Sequence, residues 1–455
     1  MAKLIPKRAG LGLLIAIATA AGCGGGGSSS TGPTGGGGGV DTSSCVQAAV
    51  LCVDDTPGAG QEYASLQAAV DAVQPGQTVL VYDGDYAGAY INKSGSAGAR
   101  IVIRAYADGA NIVLPNATTS DGIRLQNASY VTVEGFVLRG RAANGTQVIA
   151  DRCIAARGAD ADNPMAGNIL RDNHCTDGGT ECFYLSQFGN SVIEGNSILR
   201  CGRTSGTRSH GLYLANAGSD NTEIKNNRIS AGLDAGAESN GIHLNGDLSI
   251  GGDGLITGVT FDGNTIYDNV QNGINMDGVR DTTLRNNLIY NNARNAVRAY
   301  AADGANGPAN LVIANNTLLS GTGSGWAIKL SEDDGGHTIF NNILRGTSGS
   351  LSVENTAFTS DYNATDDKMS YDGDASTVTL AQWQAYFAGA RDSQSIVATP
   401  SALFVAGGYQ LSATSPARNA GVATLNGVAA PSADLAGTAR PQGSAHDLGA
   451  YEAAP

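Results

Sequence analysis

The sequence predicts an all-β solenoid, a fold in which short strands stack coil upon coil. Three observations predict it. Among 455 residues, 64 are Gly and only 15% are charged, a composition typical of turn-rich β-structure. Apolar residues alternate within short segments, as strands with one buried face require. The same segment recurs through the middle of the chain, and repeats of this kind bury their apolar faces only by stacking on one another.

The first 22 residues predict an export signal. Lys3, Lys7 and Arg8 precede a largely apolar run, Ala9 to Ala21, that is shorter than the ~20 residues of a membrane-spanning helix. The run ends in Ala20-Ala21-Gly22-Cys23, which resembles a bacterial lipoprotein signal. The resemblance implies lipidation of Cys23, an outer-membrane or cell-surface location, and a lipid anchor as the sole membrane contact. An ordinary secretory signal, cut before Cys23, is the alternative.

The remaining chain divides into three predicted parts. Residues 23–44 are Gly- and Ser-rich and predict a flexible tether. Residues 45–365 predict the solenoid with its N-terminal cap. Apolar residues recur at helical spacing within Glu62 to Gln74, and Thr78 to Val81 follows as the first strand. Residues 366–455 are expected to close the other end, because an open coil would expose apolar core and unpaired strand edges.

Cysteine usage agrees with export. Apart from Cys23, the chain has an even number of cysteines, which in an oxidising compartment predicts three disulfides. These six residues are Cys45, Cys52, Cys153, Cys175, Cys182 and Cys201. Cys45 with Cys52 is the local pair, and the pairing of the others is left open. The alternative for those four is reduced, buried cysteine. No Cys or His spacing predicts a zinc site.

Asparagine marks the repeat. Each recurrence has an aliphatic pair followed by a turn with Asn, at Asn173, Asn196, Asn227, Asn264, Asn287, Asn316 and Asn342. Asn tolerates left-handed backbone geometry in turns and can form hydrogen bonds along a stack of identical residues. We therefore predict that these seven residues are structural.

These features resemble the right-handed parallel β-helix of the pectin-lyase-like family over about residues 60 to 365. Ser94 to Gly98, before Arg100 to Arg104, resembles the same region of alginate lyases and chondroitinase B. Segments near the C-terminus, such as Asp447-Leu448-Gly449-Ala450-Tyr451-Glu452, resemble the end of many exported bacterial β-helix proteins. The family resemblance implies that a groove along the parallel strands binds an extended polysaccharide.

One outward face of the coils concentrates polar and aromatic residues. In each recurring strand two aliphatic side chains point inward, so the residue between them points outward. Coil by coil, these outward residues are Arg124, Ala155, Tyr184, Tyr213, His243, Asn275, Arg298 and Lys329. Two residues further on come Gln126, Arg157, Ser186, Ala215, Asn245, Asp277, Tyr300 and Ser331. Coils stack at about 4.8 Å, so consecutive members are neighbours. Arg124, Tyr184, Asn245, Asp277 and Tyr300 are predicted to bind the glycan.

The same stripe contains groups suited to β-elimination of a uronic-acid polymer. That reaction neutralises a carboxylate, removes the C5 proton and protonates the leaving oxygen. Asn275 and Arg298 are predicted to grip the carboxylate. His243 is predicted to be the base, because histidine ordinarily titrates near neutral pH, and Tyr213 the acid or a second base. In alginate lyases and chondroitinase B of this fold a lysine is the base, which makes Lys329 beside Arg298 the alternative.

No complete catalytic signature of the family transfers. The Asn-x-Glu-x-x-Glu calcium motif, the Asp-Pro-His-Asp motif of epimerases and the paired aspartates of polygalacturonases are missing. Calcium is therefore only a possible cofactor, through Asp247, Asp253, Asp277, Glu332, Asp333 and Asp334.

Two alternatives to a lyase or C5-epimerase stay open, namely a glycan-binding surface protein and a structural or adhesin-like spike. Three loops, Ala231 to Asn240, Asp247 to Gly258 and Ala301 to Ala309, would wall a catalytic cleft, whereas a binding module would present a flat aromatic face. The net charge of −14 excludes nucleic acid as the expected partner. The expected partner is an acidic polysaccharide, and the chain is expected to be a monomer.

Overall fold

The computed structural model describes residues 49–56, 63–107, 109–203, 209–232, 238–321 and 323–455. All of them belong to the compact unit that spans Thr42–Pro455. The export signal, Cys23, the tether and Cys45 lie outside the described residues. Within the described part of the chain, no helix is long and apolar enough to cross a membrane.

The described elements are 41 short strands and three short α-helices, with one 3₁₀ turn at Leu248–Ile250. The helices are α1 (Leu66–Ala72), α2 (Leu380–Tyr386) and α3 (Pro400–Leu403). The strands are β1 (Val50–Val53), β2 (Thr78–Val81), β3 (Gly84–Ala87), β4 (Tyr90–Ile91), β5 (Ile101–Ala105), β6 (Ala110–Leu114), β7 (Ile123–Gln126), β8 (Val131–Glu134), β9 (Val137–Arg139), β10 (Ile154–Arg157), β11 (Met165–Ala166), β12 (Ile169–Arg171), β13 (His174–Thr176), β14 (Phe183–Ser186), β15 (Phe188–Gly189), β16 (Val192–Glu194), β17 (Ser197–Leu199), β18 (Leu212–Ala215), β19 (Glu223–Lys225), β20 (Arg228–Ser230), β21 (Ile242–Asn245), β22 (Ile256–Thr257), β23 (Thr260–Asp262), β24 (Thr265–Tyr267), β25 (Ile274–Asp277), β26 (Val279–Arg280), β27 (Thr283–Arg285), β28 (Leu288–Asn292), β29 (Val297–Tyr300), β30 (Val312–Ala314), β31 (Thr317–Ser320), β32 (Trp326–Leu330), β33 (His337–Phe340), β34 (Ile343–Arg345), β35 (Gly349–Ser352), β36 (Phe358–Asp361), β37 (Ala364–Thr365), β38 (Met369–Ser370), β39 (Ile396–Val397), β40 (Thr424–Leu425) and β41 (Val428–Ala429).

Most strands form three long parallel sheets, which confirms the predicted right-handed parallel β-helix. Sheet A has twelve strands in the order β1-β2-β5-β8-β12-β16-β19-β23-β27-β30-β33-β36. Sheet B has twelve, β3-β6-β9-β13-β17-β20-β24-β28-β31-β34-β37-β39. Sheet C has eleven, β4-β7-β10-β14-β18-β21-β25-β29-β32-β35-β38. A typical coil passes through sheet C, then A, then B, as β18, β19 and β20 do.

The alternating pattern of the sequence produces this stack. In the coil of β18 to β20, Leu212, Leu214, Ile224 and Ile229 are fully buried inside the coil. The polar residues between them face outward, because successive side chains of a strand point to opposite sides. No single coil encloses its own apolar residues, so each coil is stabilised by the coils above and below it.

The predicted asparagine stack is confirmed as a buried structural ladder. Asn227 donates from its backbone nitrogen (3.0 Å) and from Nδ2 (3.1 Å) to Oδ1 of Asn264. The same pair of bonds links the successive ladder residues Asn173, Asn196, Asn227, Asn264, Asn287, Asn316, Asn342 and Asn363. The expected left-handed geometry is wrong for these residues themselves, because it falls on the residue before each one, such as Asn226 (φ 55°) and Gly263 (φ 66°).

Helices cover both ends of the coil stack. At the N-terminal end the predicted helix forms as α1, which begins after Ser65, whose hydroxyl accepts from the nitrogen of Ala68. The sequence did not predict β1, which pairs with the predicted first strand in sheet A. At the other end, Trp383 of α2 is fully buried in the main core. Its indole Nε1 donates to Asp392 (3.0 Å), which also accepts from Asn363, the last ladder residue.

The segment 366–455 does more than close the end, and the predicted boundary at 365 does not coincide with a structural boundary. Strands β38 and β39 extend sheets C and B beyond it. From Phe404 onward the chain runs back along the side of the solenoid. Asn315 donates to the carbonyl of Asp447 (3.0 Å), and the nitrogen of Ala450 donates to Thr317 (3.0 Å). These contacts cover the turns between sheets A and B.

Two disulfides each join the two ends of one coil next to sheet C. Cys153 pairs with Cys175 and Cys182 pairs with Cys201, and all four are fully buried. Cys52 is disulfide-bonded as well, but its predicted partner Cys45 lies outside the described residues. The pairing of the four central cysteines, which the sequence left open, therefore joins the residue before β10 to β13 of sheet B and the residue before β14 to the turn after β17.

Candidate active site

Sheet C brings the outward stripe into register. Tyr213 of β18 lies opposite His243 of β21, which lies opposite Asn275 of β25. Arg298 of β29 and Lys329 of β32 continue the same column. Most of these residues are half-buried, which agrees with an outward-facing column. Asn275 is only 4% exposed, because its neighbours on the outer face cover it.

Six of the predicted site residues line one cleft of about 380 Å³. The six are Tyr213, His243, Asn245, Asn275, Arg298 and Tyr300. Residues that were not predicted as site residues complete the lining, namely Glu181, His210, Glu238, Asn240, Gln271, Asn272, Arg294 and Asp303. The lining residues therefore come from five consecutive coils of sheet C, which is the extent that a short run of sugar residues would occupy.

A cluster of rings forms one side of the cleft. The ring centroids of Tyr213 and His243 are 4.8 Å apart, and those of His210 and His243 are 4.7 Å apart. Tyr184 meets Tyr213 edge-on at 5.4 Å. Such contacts restrict the orientation of each ring, so the phenol and the two imidazoles are held in place rather than spread over a flat face.

Asn275 connects the opposite side of the cleft to His243. Its Nδ2 lies 2.9 Å from Nδ1 of His243 and donates to the hydroxyl of Tyr300 at 3.0 Å. Its Oδ1 accepts from Nδ2 of Asn272 at 3.0 Å. Both ends of the amide are thus occupied by protein groups. The prediction that Asn275 grips a substrate carboxylate is therefore replaced by a role in positioning its neighbours.

The charges in the cleft are mixed. The guanidinium of Arg298 lies 4.0 Å from the centroid of the Tyr300 ring, and Arg294 is exposed at the cleft rim. Three carboxylates also line the cleft. Glu181 is paired with Arg152 (3.1 Å), and Asp303 accepts from Nδ2 of Asn245 (3.2 Å).

Burial favours the protonated form of both tyrosines in the cleft. It raises the pKa of Tyr213 well above the ordinary value of a phenol, despite a weak hydrogen bond from Asn245. Burial also raises the pKa of Tyr300, and the hydrogen bond from Asn275 and the charge of Arg298 only partly oppose it. A neutral phenol can donate a proton, which suits the predicted role of Tyr213 as an acid.

Other predicted residues lie away from the cleft. Lys329 forms an ion pair with Asp374 of the closing segment. Arg124 is paired with Asp121 at 2.9 Å. Tyr184 packs between the guanidinium groups of Arg152 and Arg157, at 5.0 and 4.7 Å from its ring centroid. These three residues remain on the outward face but do not line the cleft.

Asp277 has a structural role that contradicts its predicted sugar contact. Its side chain is nearly fully buried. Its carboxylate accepts from the backbone nitrogens of Ala302 (2.8 Å), Asp303 (3.0 Å) and Gly304 (3.0 Å). Asp277 therefore shapes the loop after β29, and this loop carries Asp303 into the cleft. Of the other two loops predicted to wall the cleft, Ala231 to Asn240 contributes Glu238 and Asn240 to the lining. The loop Asp247 to Gly258 contributes no lining residue.

The residues that sequence reasoning missed have a signal of their own. Glu181, His210, Asn240 and Asn272 each lie three positions before an outward residue of the predicted column. Backbone hydrogen bonds continue between coils at this position, for example from Gly211 to the carbonyl of Asn240 (3.1 Å) and from Gly241 to that of Asn272 (3.0 Å). The repeat therefore predicts a second column of residues beside the first. The positions of Arg294 and Asp303 in the cleft depend instead on the conformation of their loops.

The acidic residues considered for calcium do not converge. Among the described residues, the one group of three potential ligands with atoms within 4.8 Å of one another is Cys153, Cys175 and Cys182, which are disulfide-bonded. Asp333 is hydrogen-bonded to the buried imidazole of His337 (2.6 Å), and Asp334 is paired with Arg280 (3.2 Å). The arrangement of these acidic residues does not fit a calcium site.

Comparison with known proteins supports the fold. Residues 238–365 match the family model described as right handed beta helix region, and no curated protein matches the chain. The solved structure of pectate lyase Pel9A is similar, with 17% identity, coverage of 89% of this chain and 96% of that one, and a TM-score of 0.56. An alginate lyase from Paenibacillus sp. str. FPU-7 has 15% identity, coverage of 67% and 92%, and a TM-score of 0.45. The chain is thus a right-handed parallel β-helix protein.

Proposed function

We propose that this protein is a polysaccharide lyase that cleaves an acidic glycan by β-elimination in the cleft of sheet C. One observation carries the proposal. Four consecutive coils bring two histidines, two half-buried tyrosines and Arg298 into one cleft on the outward face. The similar fold of a pectate lyase supports a glycan as the substrate, and function itself must be argued from the site.

The proposed reaction needs three kinds of group, and the cleft contains candidates for each. Arg298 and Arg294 neutralise the uronate carboxylate, which makes the C5 proton acidic. A base of the cleft, either His243 or a tyrosine, takes that proton. The electron pair of the broken C5–H bond forms the C4=C5 double bond as the C4–O bond breaks. Tyr213, which burial keeps as a neutral phenol, gives its proton to the leaving oxygen.

Export and anchoring are also part of the proposal. We infer that the chain is an exported, monomeric lipoprotein attached by Cys23, because extracellular glycans are accessible only outside the cell. Mass spectrometry of the mature N-terminus in the native host tests the anchor. A lipidated Cys23 is the expected result, and an unmodified N-terminus at another residue would leave only a secretory signal.

The ultraviolet absorbance of unsaturated sugar ends tests the activity. The mature chain is incubated with alginate, polygalacturonate, chondroitin, dermatan and heparin-type glycans, each with calcium and with a chelator. A rise on at least one polymer, retained with the chelator, is expected. Inactivity on every polymer contradicts the lyase. C5 proton exchange without cleavage would then identify an epimerase.

The binding alternative has its own supporting observation. Tyr184 and its two flanking arginines extend an aromatic, hydrogen-bonding surface beyond the cleft on the same face. If the protein retains an acidic glycan on an affinity gel without product formation, a glycan-binding surface protein is the better assignment. If it neither binds nor cleaves any of the polymers, the structural or adhesin-like spike is favoured.

A further inference from the structure

A row of asparagines beside the cleft determines how one amide is oriented. The backbone nitrogen of Asn295 donates to Oδ1 of Asn272 at 3.1 Å. A backbone N–H can only donate, so the Asn272 atom that it contacts must be the oxygen of the side-chain amide. This contact alone distinguishes Oδ1 from Nδ2 in Asn272. Nδ2 of Asn272 therefore faces the other way, toward Oδ1 of Asn240 (3.0 Å) and toward Asn275 (3.0 Å).

The fixed amide of Asn272 orients Asn275 in turn. Because Nδ2 of Asn272 is a donor, the Asn275 atom that it meets must be the acceptor Oδ1. Nδ2 of Asn275 then points to Nδ1 of His243 at 2.9 Å and to the hydroxyl of Tyr300 at 3.0 Å. The amide has two N–H groups, one for each of these partners.

We infer that Asn272 and Asn275 form a relay that holds neutral His243 with its proton on Nε2. Nδ1 must accept from Asn275, so the remaining nitrogen of the neutral ring carries the hydrogen. The opposite tautomer would have to donate from Nδ1 to the backbone carbonyl of Asn275, which is more distant at 3.3 Å. His210 has the same tautomer, because its Nδ1 accepts from the backbone nitrogen of Asn240 at 3.1 Å.

The relay changes which residue of the cleft is assigned as the base, a consequence that rests on the proposed function. A nitrogen that carries hydrogen cannot remove the C5 proton, so the predicted role of His243 as the base passes to another group. Tyr300 is suited to it. The N–H of Asn275 and the guanidinium of Arg298, 4.0 Å from the ring centroid, both favour its phenolate. Burial and the charges of Asp277 and Asp303 still raise the pKa of Tyr300 overall, so the phenolate is the minor form at neutral pH.

The proton balance closes with two tyrosines. The Tyr300 phenolate takes the C5 proton and becomes a phenol, the C4–O bond breaks, and the leaving oxygen takes the proton of Tyr213. Solvent exchange returns both tyrosines to their starting states after product release. Asn272 and Asn275 are positioning residues in this scheme, since they act through His243 and Tyr300 and do not contact the substrate.

Nitrogen NMR of the folded mature chain tests the tautomer without any substrate. The chain has only five histidines, so selective ¹⁵N labelling gives few signals, and His243→Gln assigns the one of interest. Two-bond ¹H–¹⁵N correlations at mildly alkaline pH, where histidine is ordinarily neutral, report which nitrogen carries the proton. We expect Nε2–H in the unmodified protein.

Asn275→Asp is the decisive variant. Its shape is that of Asn, one carboxylate oxygen still accepts from Asn272, and the other becomes an acceptor beside Nδ1 of His243. We expect the proton of His243 to move to Nδ1, or both nitrogens to be protonated. Asn221→Asp adds the same charge at an exposed Asn outside the cleft lining and should leave the signals of His243 unchanged.

Two results would overturn the relay. The first is a proton on Nδ1 in the unmodified protein, and the second is an unchanged tautomer in a folded Asn275→Asp variant. If that variant does not fold, Asn272→Ser provides the second measurement, since loss of its Nδ2 should leave a mixture of tautomers, and an unmixed Nε2–H signal would contradict the relay. The NMR result stands with or without lyase activity, so failure of the relay and failure of the proposed reaction are distinguishable.

Discussion

Two rows of asparagine run through this solenoid. They form the same type of hydrogen bond between coils but have different roles. In the buried ladder between sheets A and B, and in the row Asn240, Asn272 and Asn295 beside sheet C, neighbouring asparagines are joined by two bonds to one Oδ1, which accepts from the side-chain amide and from the backbone of the next asparagine. The rows differ in where the second N–H of each side chain points. Asn264 directs it to the carbonyl of Ile224 inside the coil (2.7 Å), whereas Asn272 directs it to Asn275 in the cleft.

The comparison shows how a repeat acquires a site. A ladder whose second N–H groups all return to the backbone stabilises only the coil stack. A row that leaves one donor for a neighbouring side chain transmits its fixed orientation to groups that face solvent. The two rows should therefore respond differently to substitution, the first in stability and the second in activity.

The largest effect is expected in the cleft. His243→Ala removes a substrate-facing imidazole, and positioned groups of this kind contribute about 10²–10⁴-fold. We expect kcat/KM to fall about 10³-fold on whichever polymer the lyase assay identifies, with an unchanged unfolding midpoint. His174→Ala is the matched control, because His174 lies on sheet B away from the cleft. Equal losses in both variants would remove His243 from the reaction.

The next effect should appear in the ladder, as stability. Asn264→Ala leaves two buried donors of Asn227 and the carbonyl of Ile224 without their partner. Unsatisfied buried groups of this kind cost about 1–3 kcal/mol each, so we expect the free energy of unfolding in denaturant to fall by about 3 kcal/mol. The exposed substitution Asn163→Ala should change it by no more than about 0.5 kcal/mol. A normal free energy of unfolding for Asn264→Ala would mean that the ladder is dispensable.

The contrast between the repeated ladder and the cleft also explains how much of the structure could be predicted from the sequence. The coil architecture, the ladder and the register of the outward column depend on a period that the sequence repeats many times. The composition of the cleft depends on single contacts between distant segments. Lys329 forms an ion pair with Asp374, and Asp277 accepts hydrogen bonds from loop nitrogens. The repeat gives both residues outward positions, as it does His243, so the repeat alone could not predict that they do not line the cleft.

The pH dependence of cleavage sharpens the comparison within the cleft. Burial raises the pKa of Tyr300 above its ordinary value, so its phenolate is scarce at neutral pH and becomes more abundant as the pH rises. If that phenolate is the base, kcat/KM should increase about tenfold per pH unit through the alkaline range below this pKa. Tyr300→Phe should abolish the increase, and Tyr267→Phe on sheet B should retain it. A rise that survives in Tyr300→Phe would assign the base elsewhere.

The smallest effect is expected at Lys329, and it separates two catalytic assignments. Lys329 lies in register with Arg298, but its ammonium is paired with Asp374 and does not line the cleft. A partly exposed ion pair at the surface contributes about 0–1 kcal/mol, so Lys329→Ala should lower stability by at most that amount and kcat/KM by no more than about threefold. Arg298→Ala, one coil away, should instead lower kcat/KM by about 10²-fold or more. If Lys329→Ala proves to be the inactive variant of the two, the base is a lysine, and the reacting sugar lies nearer the C-terminal end of sheet C than the asparagine row that orients His243.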